Sequence, residues 1–218
     1  ETISFDAHRE PTDTYHGRND SGCMSAPDRT NGPNATSGIV GGAAAGAVAY
    51  VLGYLFAYVT QQSAVEEQLA GFNFFADLFG GDPIPTWQAI GWVFYNGHFV
   101  DTQIPSLVGG SQSTNLISQA DGGSLTLLFV VPPVLLVLAG LVASRVAGAT
   151  EPADGAKAGA FVLVGYLPLT VIGAFLFRYS VGDGSVAPDL VTAVLLAGAV
   201  YPALFGAVGG AGATLLSD

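Results

Sequence analysis

The first long apolar run of the chain decides the fold. Residues 38–60 read GIVGGAAAGAVAYVLGYLFAYVT and contain no charged side chain. At about 1.5 Å per residue, a helix of this length crosses a hydrocarbon core of about 30 Å. Tyr50, Tyr54 and Tyr58 recur at four-residue spacing and therefore share one face of that helix. The run is too long for the apolar part of a cleavable signal sequence, so it predicts a helix that stays in the membrane.

Three further apolar runs follow, and each contains proline. The runs are residues 124–147, 158–177 and 190–216. The prolines inside them are Pro132, Pro133, Pro168 and Pro202. Membrane helices tolerate proline with a kink, because neighbouring helices satisfy the freed backbone groups. The sequence thus predicts an all-α integral membrane four-helix bundle, with residues 38–216 as its membrane domain.

The composition agrees with a membrane location. Half of the 218 residues are apolar and 11% are charged, against about 25% charged residues in soluble proteins. The net charge is −11, with only six Lys and Arg residues. Because there is no basic patch to neutralise phosphates, nucleic acid is excluded as a partner. Membrane lipid is the predicted surrounding.

The two longest segments outside the four runs are the tail, residues 1–37, and the connection 61–123. Residues 1–37 are polar and lack apolar periodicity, which predicts a disordered tail. Residues 64–79 carry apolar side chains at helical spacing. Residues 86–100 read TWQAIGWVFYNGHFV, an aromatic stretch too short to span the bilayer. The region 64–100 therefore predicts one or two short extracellular or interfacial helices, and residues 101–123 predict an exposed loop.

The basic residues predict an orientation. Arg and Lys are found in the tail and beside the turn at 148–156, whereas the connection 61–123 has none. Short loops with basic residues stay in the cytoplasm. We therefore predict a multi-pass protein of the cell membrane whose N- and C-termini are cytoplasmic. Arg178 is the exception to this scheme.

Small residues recur every four positions in the first and last runs. The sets are Gly38, Gly42 and Gly46, and Gly198, Gly206 and Gly210 with Pro202 between them. Each set forms a shallow groove along one helix face, where another helix can approach closely. The grooves predict helix packing, either inside the monomer or between copies of the chain. Chance spacing in a glycine-rich chain is the alternative.

One polar cluster in the outer region is a candidate site. Trp92, Tyr95, His98 and Asp101 bring a histidine and a carboxylate into a partly apolar setting. A metal ligand pair or an acid–base pair would use such residues. Structural zinc sites need about four ligands, so a histidine that forms hydrogen bonds inside a packed helix is the simpler interpretation. We predict no metal, no cofactor and no catalytic residue.

The segment TWQAIGWVFYNGHFV, the following DTQIP and the three proline-containing spans resemble a family of small haloarchaeal multi-pass membrane proteins of unknown function. The acidic, lysine-poor composition is similar to that of halophilic proteins. The resemblance covers roughly residues 38–216. Some members of that group carry a transporter label, so it implies a multi-pass fold and leaves the activity open. No site residue is carried over from it.

Three functions remain as hypotheses. The first is a transport-related or accessory protein, with a protein partner or a second copy of the chain at its outer region. The second is a structural subunit of an envelope complex, and the third is an intramembrane enzyme. No charged residue lies deep in the four runs, which disfavours ion-coupled transport. A transporter predicts a polar cavity between Pro132, Pro168 and Pro202. A structural subunit predicts a dry centre and an apolar patch within residues 72–100.

Overall fold

Four helical stretches form the body of the protein. The computed structural model describes residues 35–78, 82–106, 110–119, 124–182 and 184–216. By length and composition, four stretches in this part of the chain can cross a membrane, numbered here as spans 1 to 4. They are Thr36–Phe74, Leu125–Ala147, Pro152–Leu176 and Leu190–Leu215. The tail predicted over residues 1–37 lies outside the described residues up to position 34, and residues 35–37 begin the first helix.

The first helix, α1, extends far beyond the predicted span. It covers Ala35–Leu78, 44 residues, or about 66 Å against a hydrocarbon core of about 30 Å. Its C-terminal part carries the exposed Glu66 and Glu67, so this part projects out of the core. The separate helix predicted over 64–79 is the continuation of α1. Residues 61–63, Gln-Gln-Ser, contain no glycine or proline that would end the helix.

The later spans are assembled from shorter helical pieces. After α2 (Thr86–Asn96) and the short α3 (Leu116–Gln119), a 3₁₀ helix over Ser124–Phe129 leads into α4 (Val131–Ala147). Span 3 consists of α5 (Pro152–Ala160) and α6 (Val162–Leu176). Span 4 consists of α7 (Leu190–Thr192), a π-helix over Ala193–Val200 and α8 (Tyr201–Leu215).

Proline positions explain most of these junctions. Pro132 and Pro202 each stand in the first turn of an α-helix, a position that accommodates proline. Pro168 alone lies inside a helix, α6. Most of these prolines therefore separate helical pieces of different pitch, where the sequence predicted kinks within continuous spans.

A small antiparallel sheet corrects the prediction of an all-helical fold. Its strands are β1 (Thr102–Pro105), β2 (Ser111–Thr114), β3 (Tyr179–Val181) and β4 (Gly184–Pro188), in the order β2-β1-β4-β3. Thr102 is opposite Thr114 on one side and Pro188 on the other. The predicted loop 101–123 therefore contains two strands, because β1 pairs with a segment more than 80 residues later in the chain.

The sheet defines one end of the bundle, called the sheet end below. It joins the connection after α2 to the connection between spans 3 and 4, and the backbone N–H of Asp189 donates to the carbonyl of Asp101 at 2.8 Å. The opposite end holds the start of α1 and the end of α4, since Gly38 lies against Ala147 and Ala158. Because the number of spans is even, the first and the last residues of the membrane domain both lie at the end away from the sheet.

In the half of the bundle away from the sheet, glycines allow the helix backbones to pack in direct contact. A β-carbon at Gly46 would overlap the carbonyl of Val162, and one at Gly42 would lie 2.7 Å from the Phe161 β-carbon. In span 4, a β-carbon at Gly206 would overlap the carbonyl of Gly159. The same holds at Gly210, against the carbonyl of Gly155. Helix backbones thus touch directly at these four positions.

The remaining two glycines of the predicted grooves have looser surroundings. A β-carbon at Gly38 would be 3.5 Å from that of Ala147, and one at Gly198 would be 3.4 Å from the side chain of Leu167. Both distances are ordinary van der Waals contacts. The structure therefore fills both glycine stripes with helices of the same chain, tightly at four positions and loosely at two.

Candidate functional site

Helix α2 lies inside the bundle rather than on its outer face. Every residue from Gln88 to Asn96 is buried. A β-carbon at Gly91 would overlap the ring of Phe177, so this glycine lets α2 approach the end of span 3. At its other end Tyr95 reaches Thr170, six residues before the end of α6, or about 9 Å along that helix. The helix predicted to lie at the interface is therefore a re-entrant helix that descends from the sheet end.

The first half of α2 is held by the end of span 3. The side-chain amide of Gln88 donates to the carbonyls of Leu176 at 3.2 Å and Arg178 at 2.9 Å. The indole N–H of Trp92 donates to the carbonyl of Phe177 at 2.6 Å. The last carbonyls of a helix have no intrahelical partner. α2 therefore caps α6 with two side chains.

A pair of tyrosines joins α2 to span 1 further down. The hydroxyl oxygens of Tyr50 and Tyr95 are 3.2 Å apart, and the Tyr95 hydroxyl donates to the carbonyl of Thr170. Since Tyr95 has a single hydroxyl proton, Tyr50 is the donor within the pair. A β-carbon at Gly173 would overlap the hydroxyl oxygen of Tyr50. The glycine therefore makes room for this contact among three helices.

His98 lies just after α2 and is completely buried. Its Nδ1 is 3.0 Å from the carbonyl oxygen of Phe94, and its Nε2 is 2.7 Å from the hydroxyl oxygen of Tyr166. His98 is outside the four spans, and burial lowers the pKa of its imidazole to about 4. The ring is therefore neutral at pH 7. Because a carbonyl only accepts, Nδ1 carries the proton and Nε2 accepts from Tyr166.

The four candidate residues of the outer cluster do not form one site. Trp92 contacts the end of span 3, Tyr95 contacts Tyr50, and His98 contacts Tyr166. Asp101 belongs to the sheet end, where its carbonyl accepts from Asp189. Among the described residues, no group of three or more His, Cys, Asp or Glu side chains could hold a metal ion. The contacts of His98 are those of a packing histidine with both nitrogens satisfied.

Sequence reasoning missed Tyr166 and Gly173, and it assigned no role to Asn96. Asn96 donates to the carbonyl of Val100 at 2.7 Å and accepts the N–H of Leu116 at 2.9 Å, so it joins the end of α2 to α3. The stripe of tyrosines in span 1 was the one available signal, and Tyr50 belongs to it. No sequence pattern pointed to Tyr166 and Gly173, because these residues contact the neighbourhood of α2 only in the folded structure.

Phe99 completes the turn that follows α2. Its φ of 58° is the only positive value at a non-glycine residue in the described ranges. Bulky residues rarely adopt this left-handed conformation. Its ring is exposed and stacks on Phe129, with ring centroids 4.6 Å apart. The turn therefore places one aromatic ring on the outside of the bundle, while its neighbours His98 and Val100 are buried.

Four apolar helices with a buried short helix packed between spans 1 and 3 fit the class of multi-pass α-helical membrane proteins. Within that class, the chain belongs to the family of unknown function DUF7978, which it matches over residues 24–217. No curated protein and no solved structure matches the chain. Family membership thus covers the membrane domain and assigns no activity.

Proposed function

We propose that this protein is an accessory or structural component of a membrane complex and that it holds a protein partner at the sheet end of α1. The observation that carries the proposal is a group of exposed apolar side chains beyond the hydrocarbon core. Phe72 is 48% exposed and Leu78 is 65% exposed, with the exposed Phe74 between them. Large apolar side chains that cluster on a water-facing surface mark interaction sites. We name Phe72, Phe74 and Leu78 the α1 patch.

The interior supports an accessory role over transport. The polar side chains of α2 are used in internal hydrogen bonds to span 3 and to the turn that follows α2. On the other side of the bundle, the backbones of α4, α5 and α8 touch at Gly140, Gly159 and Gly206. A solute needs a polar route across the bilayer, and direct backbone contact between these helices leaves little room for one at these positions.

The orientation that we propose places the sheet end outside the cell. Arg145 ends α4 and Lys157 lies in α5, so both are at the end opposite the sheet. Exposed Glu66 and Glu67 lie towards the sheet end. The bias of basic residues towards the cytoplasm supports this direction, and Arg178 remains the exception.

Cysteine labelling tests the orientation. In a Cys23→Ser background, a membrane-impermeant maleimide applied to intact cells should label the Ser180→Cys variant. The Thr150→Cys variant should be labelled only after lysis, because position 150 lies in the turn between spans 2 and 3. The reverse labelling pattern would invert the proposed topology.

Partner capture tests the function. A tagged chain is purified from its native membranes in high salt, and bound proteins are identified by mass spectrometry. The Phe72→Ser/Leu78→Ser variant should lose a partner that the unaltered chain retains. Val181→Ser is the matched control, because Val181 is an exposed apolar residue of β3 at the same end. Retention of every partner by the double variant would exclude the α1 patch as the binding surface.

Transport is the second candidate, and one observation favours it. The π-helix Ala193–Val200 adjoins Pro202, and such wide turns often occur where a helix has a functional role. The ring of Tyr201 is 5.4 Å from that of His98, so a change of pitch there would affect the turn that follows α2. Solute flux through the purified protein in liposomes, lost in a Pro202→Ala variant, would favour transport over the accessory role.

A further inference from the structure

A pocket of about 390 Å³ lies between α1, α2 and the sheet end. This volume falls in the range of about 300–1,000 Å³ typical of small-molecule sites. Its apolar wall includes Val65 and Leu69 of α1, Trp92 and Val93 of α2, and Leu116 of α3. Val65, Trp92 and Val93 are buried, so the floor of the pocket is part of the packed core.

The apolar wall is suited to a hydrocarbon chain. The Trp92 N–H is already used by the carbonyl of Phe177, so Trp92 presents only its ring carbons. In the part of the chain that the structure describes, no charged side chain lines the pocket. A charged group placed there would lose hydration without gaining a partner, which is costly. The pocket therefore selects an uncharged ligand.

Three polar groups at the pocket match a hydroxyl. Thr102 is fully buried, and its Oγ1 accepts from the Asn96 amide at 3.2 Å, while no described residue accepts its proton. Gln68 of α1 lines the pocket at an exposed position, so its amide is within reach of a ligand there. Gln119 donates to Thr114 at 2.8 Å and keeps its amide oxygen for another donor. A ligand hydroxyl can accept from Thr102 and donate to an amide oxygen.

The position of the pocket indicates where the ligand comes from. Leu125, the first residue of span 2, also lines it. The pocket therefore lies next to the start of span 2 at the sheet end. The adjoining leaflet is the nearest source of an apolar ligand. We propose that the pocket binds a neutral long-chain alcohol of the membrane, with its chain against Trp92 and Val93 and its hydroxyl at Thr102 and Gln68.

This site is independent of the α1 patch, and tryptophan fluorescence tests it separately. The chain contains two tryptophans, Trp87 and Trp92. In a Trp87→Phe variant in lipid nanodiscs, Trp92 is the only tryptophan, so fluorescence excited selectively in tryptophan reports on Trp92 alone. A brominated long-chain alcohol that enters the pocket should quench its emission with saturation. Brominated carboxylate and ammonium analogues of equal length should bind more weakly, because the pocket offers no charge.

A substitution that fills the pocket with a larger side chain provides the matched comparison. Ala64 lines the pocket from α1, so Ala64→Phe should weaken quenching by about tenfold, equivalent to about 1.4 kcal/mol. Ala44→Phe is the control, since Ala44 lies on the same helix in a groove between spans 1 and 2. It should leave quenching unchanged. Gln68→Leu, at an exposed position, should reduce the preference for the alcohol without affecting the fold.

Three results would overturn the proposal. Quenching that rises with the bilayer content of the probe and never saturates would show partition into lipid alone. Equal quenching in the Ala64→Phe and Ala44→Phe variants would place the probe elsewhere. A water-soluble short-chain brominated alcohol that bound as tightly as the long-chain one would exclude a membrane-derived ligand.

Discussion

The Nε2 atom of His98 lies 2.7 Å from the hydroxyl oxygen of Tyr166, and both side chains are buried. The two residues are 68 positions apart in the chain. Since the other nitrogen of His98 is bonded to Phe94, removal of the Tyr166 hydroxyl leaves a buried acceptor without a donor. This contact fastens the turn after α2 to span 3.

Tyr166→Phe should lower the free energy of unfolding by about 1–3 kcal/mol, the cost of an unsatisfied buried polar group. Thermal and urea unfolding in mild detergent, followed by circular dichroism, would measure it. Tyr201→Phe is the control, because the Tyr201 ring also contacts His98 and its hydroxyl is not bonded to it. Equal losses in the two variants would contradict the role given to the Tyr166 hydroxyl.

Gly173→Ala should destabilise the protein by about 1–3 kcal/mol, as expected for overpacking. The added methyl would overlap the hydroxyl oxygen of Tyr50. Tyr50→Phe removes that oxygen, so the double variant should recover part of the loss. The same unfolding measurements apply. Gly212→Ala in α8 should cause no loss, because a β-carbon there would meet nothing within 4 Å. Failure of Tyr50→Phe to restore stability would place the strain elsewhere.

The glycines of span 1 should respond unequally to the same substitution. Gly46→Ala would overlap the carbonyl of Val162, whereas Gly38→Ala would make only ordinary contacts. We expect Gly46→Ala to cost about 1–3 kcal/mol and Gly38→Ala to be neutral. Unfolding temperatures in detergent would compare them. If Gly38→Ala were as damaging as Gly46→Ala, the stripe would have an additional contact with another chain.

Asp189 should contribute stability that is lost in acid. Its carboxylate accepts the Thr192 N–H at 2.9 Å at the start of span 4. Hydrogen bonds from the backbone and hydroxyl of Thr192 hold the pKa of Asp189 below its ordinary value of 3.8. A lowered pKa stabilises the fold above that ordinary value, and the contribution disappears as the pH falls through the lower folded-state pKa.

Asp189→Ala should therefore cost about 1 kcal/mol at pH 7, as for other N-cap removals. The cost should shrink in unfolding experiments below about pH 4. Asp189→Asn keeps a capping side chain without a titrating group, so it should cost little and show no such change. A cost of Asp189→Ala that stayed constant to low pH would separate Asp189 from the acid response.

High salt should stabilise the sheet end. Six acidic residues belong to it, and Arg178 is its single basic residue in the described ranges; the acidic ones are Glu66, Glu67, Asp77, Asp82, Asp101 and Asp189. Repulsion among exposed charges is screened over about 3 Å in 1 M salt. The unfolding temperature should rise with KCl, and Glu66→Gln/Glu67→Gln should flatten that dependence. An unaltered slope in this variant would show that the repulsion arises elsewhere.

The four spans were predictable because the lipid environment constrains the sequence of a spanning helix. Backbone groups in hydrocarbon must be paired internally, so a spanning helix appears as a long apolar run. The end of span 1 was harder to place, since apolar periodicity continues past Glu66 with no helix breaker. The sequence therefore located the helix and misjudged its length.

The sheet and the burial of the re-entrant helix could not be predicted from the sequence pattern. β2 reads Ser-Gln-Ser-Thr and has no apolar alternation, so only its pairing with Thr102 to Pro105 makes it a strand. Helix α2 is 11 residues long and aromatic, a composition shared by interfacial helices and buried ones. Its burial depends on Phe177 and Tyr166, which lie about 70 to 85 residues further along.

The same separation orders the biogenesis of the protein. When α2 leaves the ribosome, the carbonyls and hydroxyl that will pair with Gln88, Trp92 and His98 have not been synthesised. Unpaired polar side chains are costly in hydrocarbon, so we expect α2 to stay at the membrane surface until span 3 has been inserted. In that order, four segments are inserted as helices, and α2 enters the bundle on folding. Truncation before span 3 would leave α2 outside the bilayer.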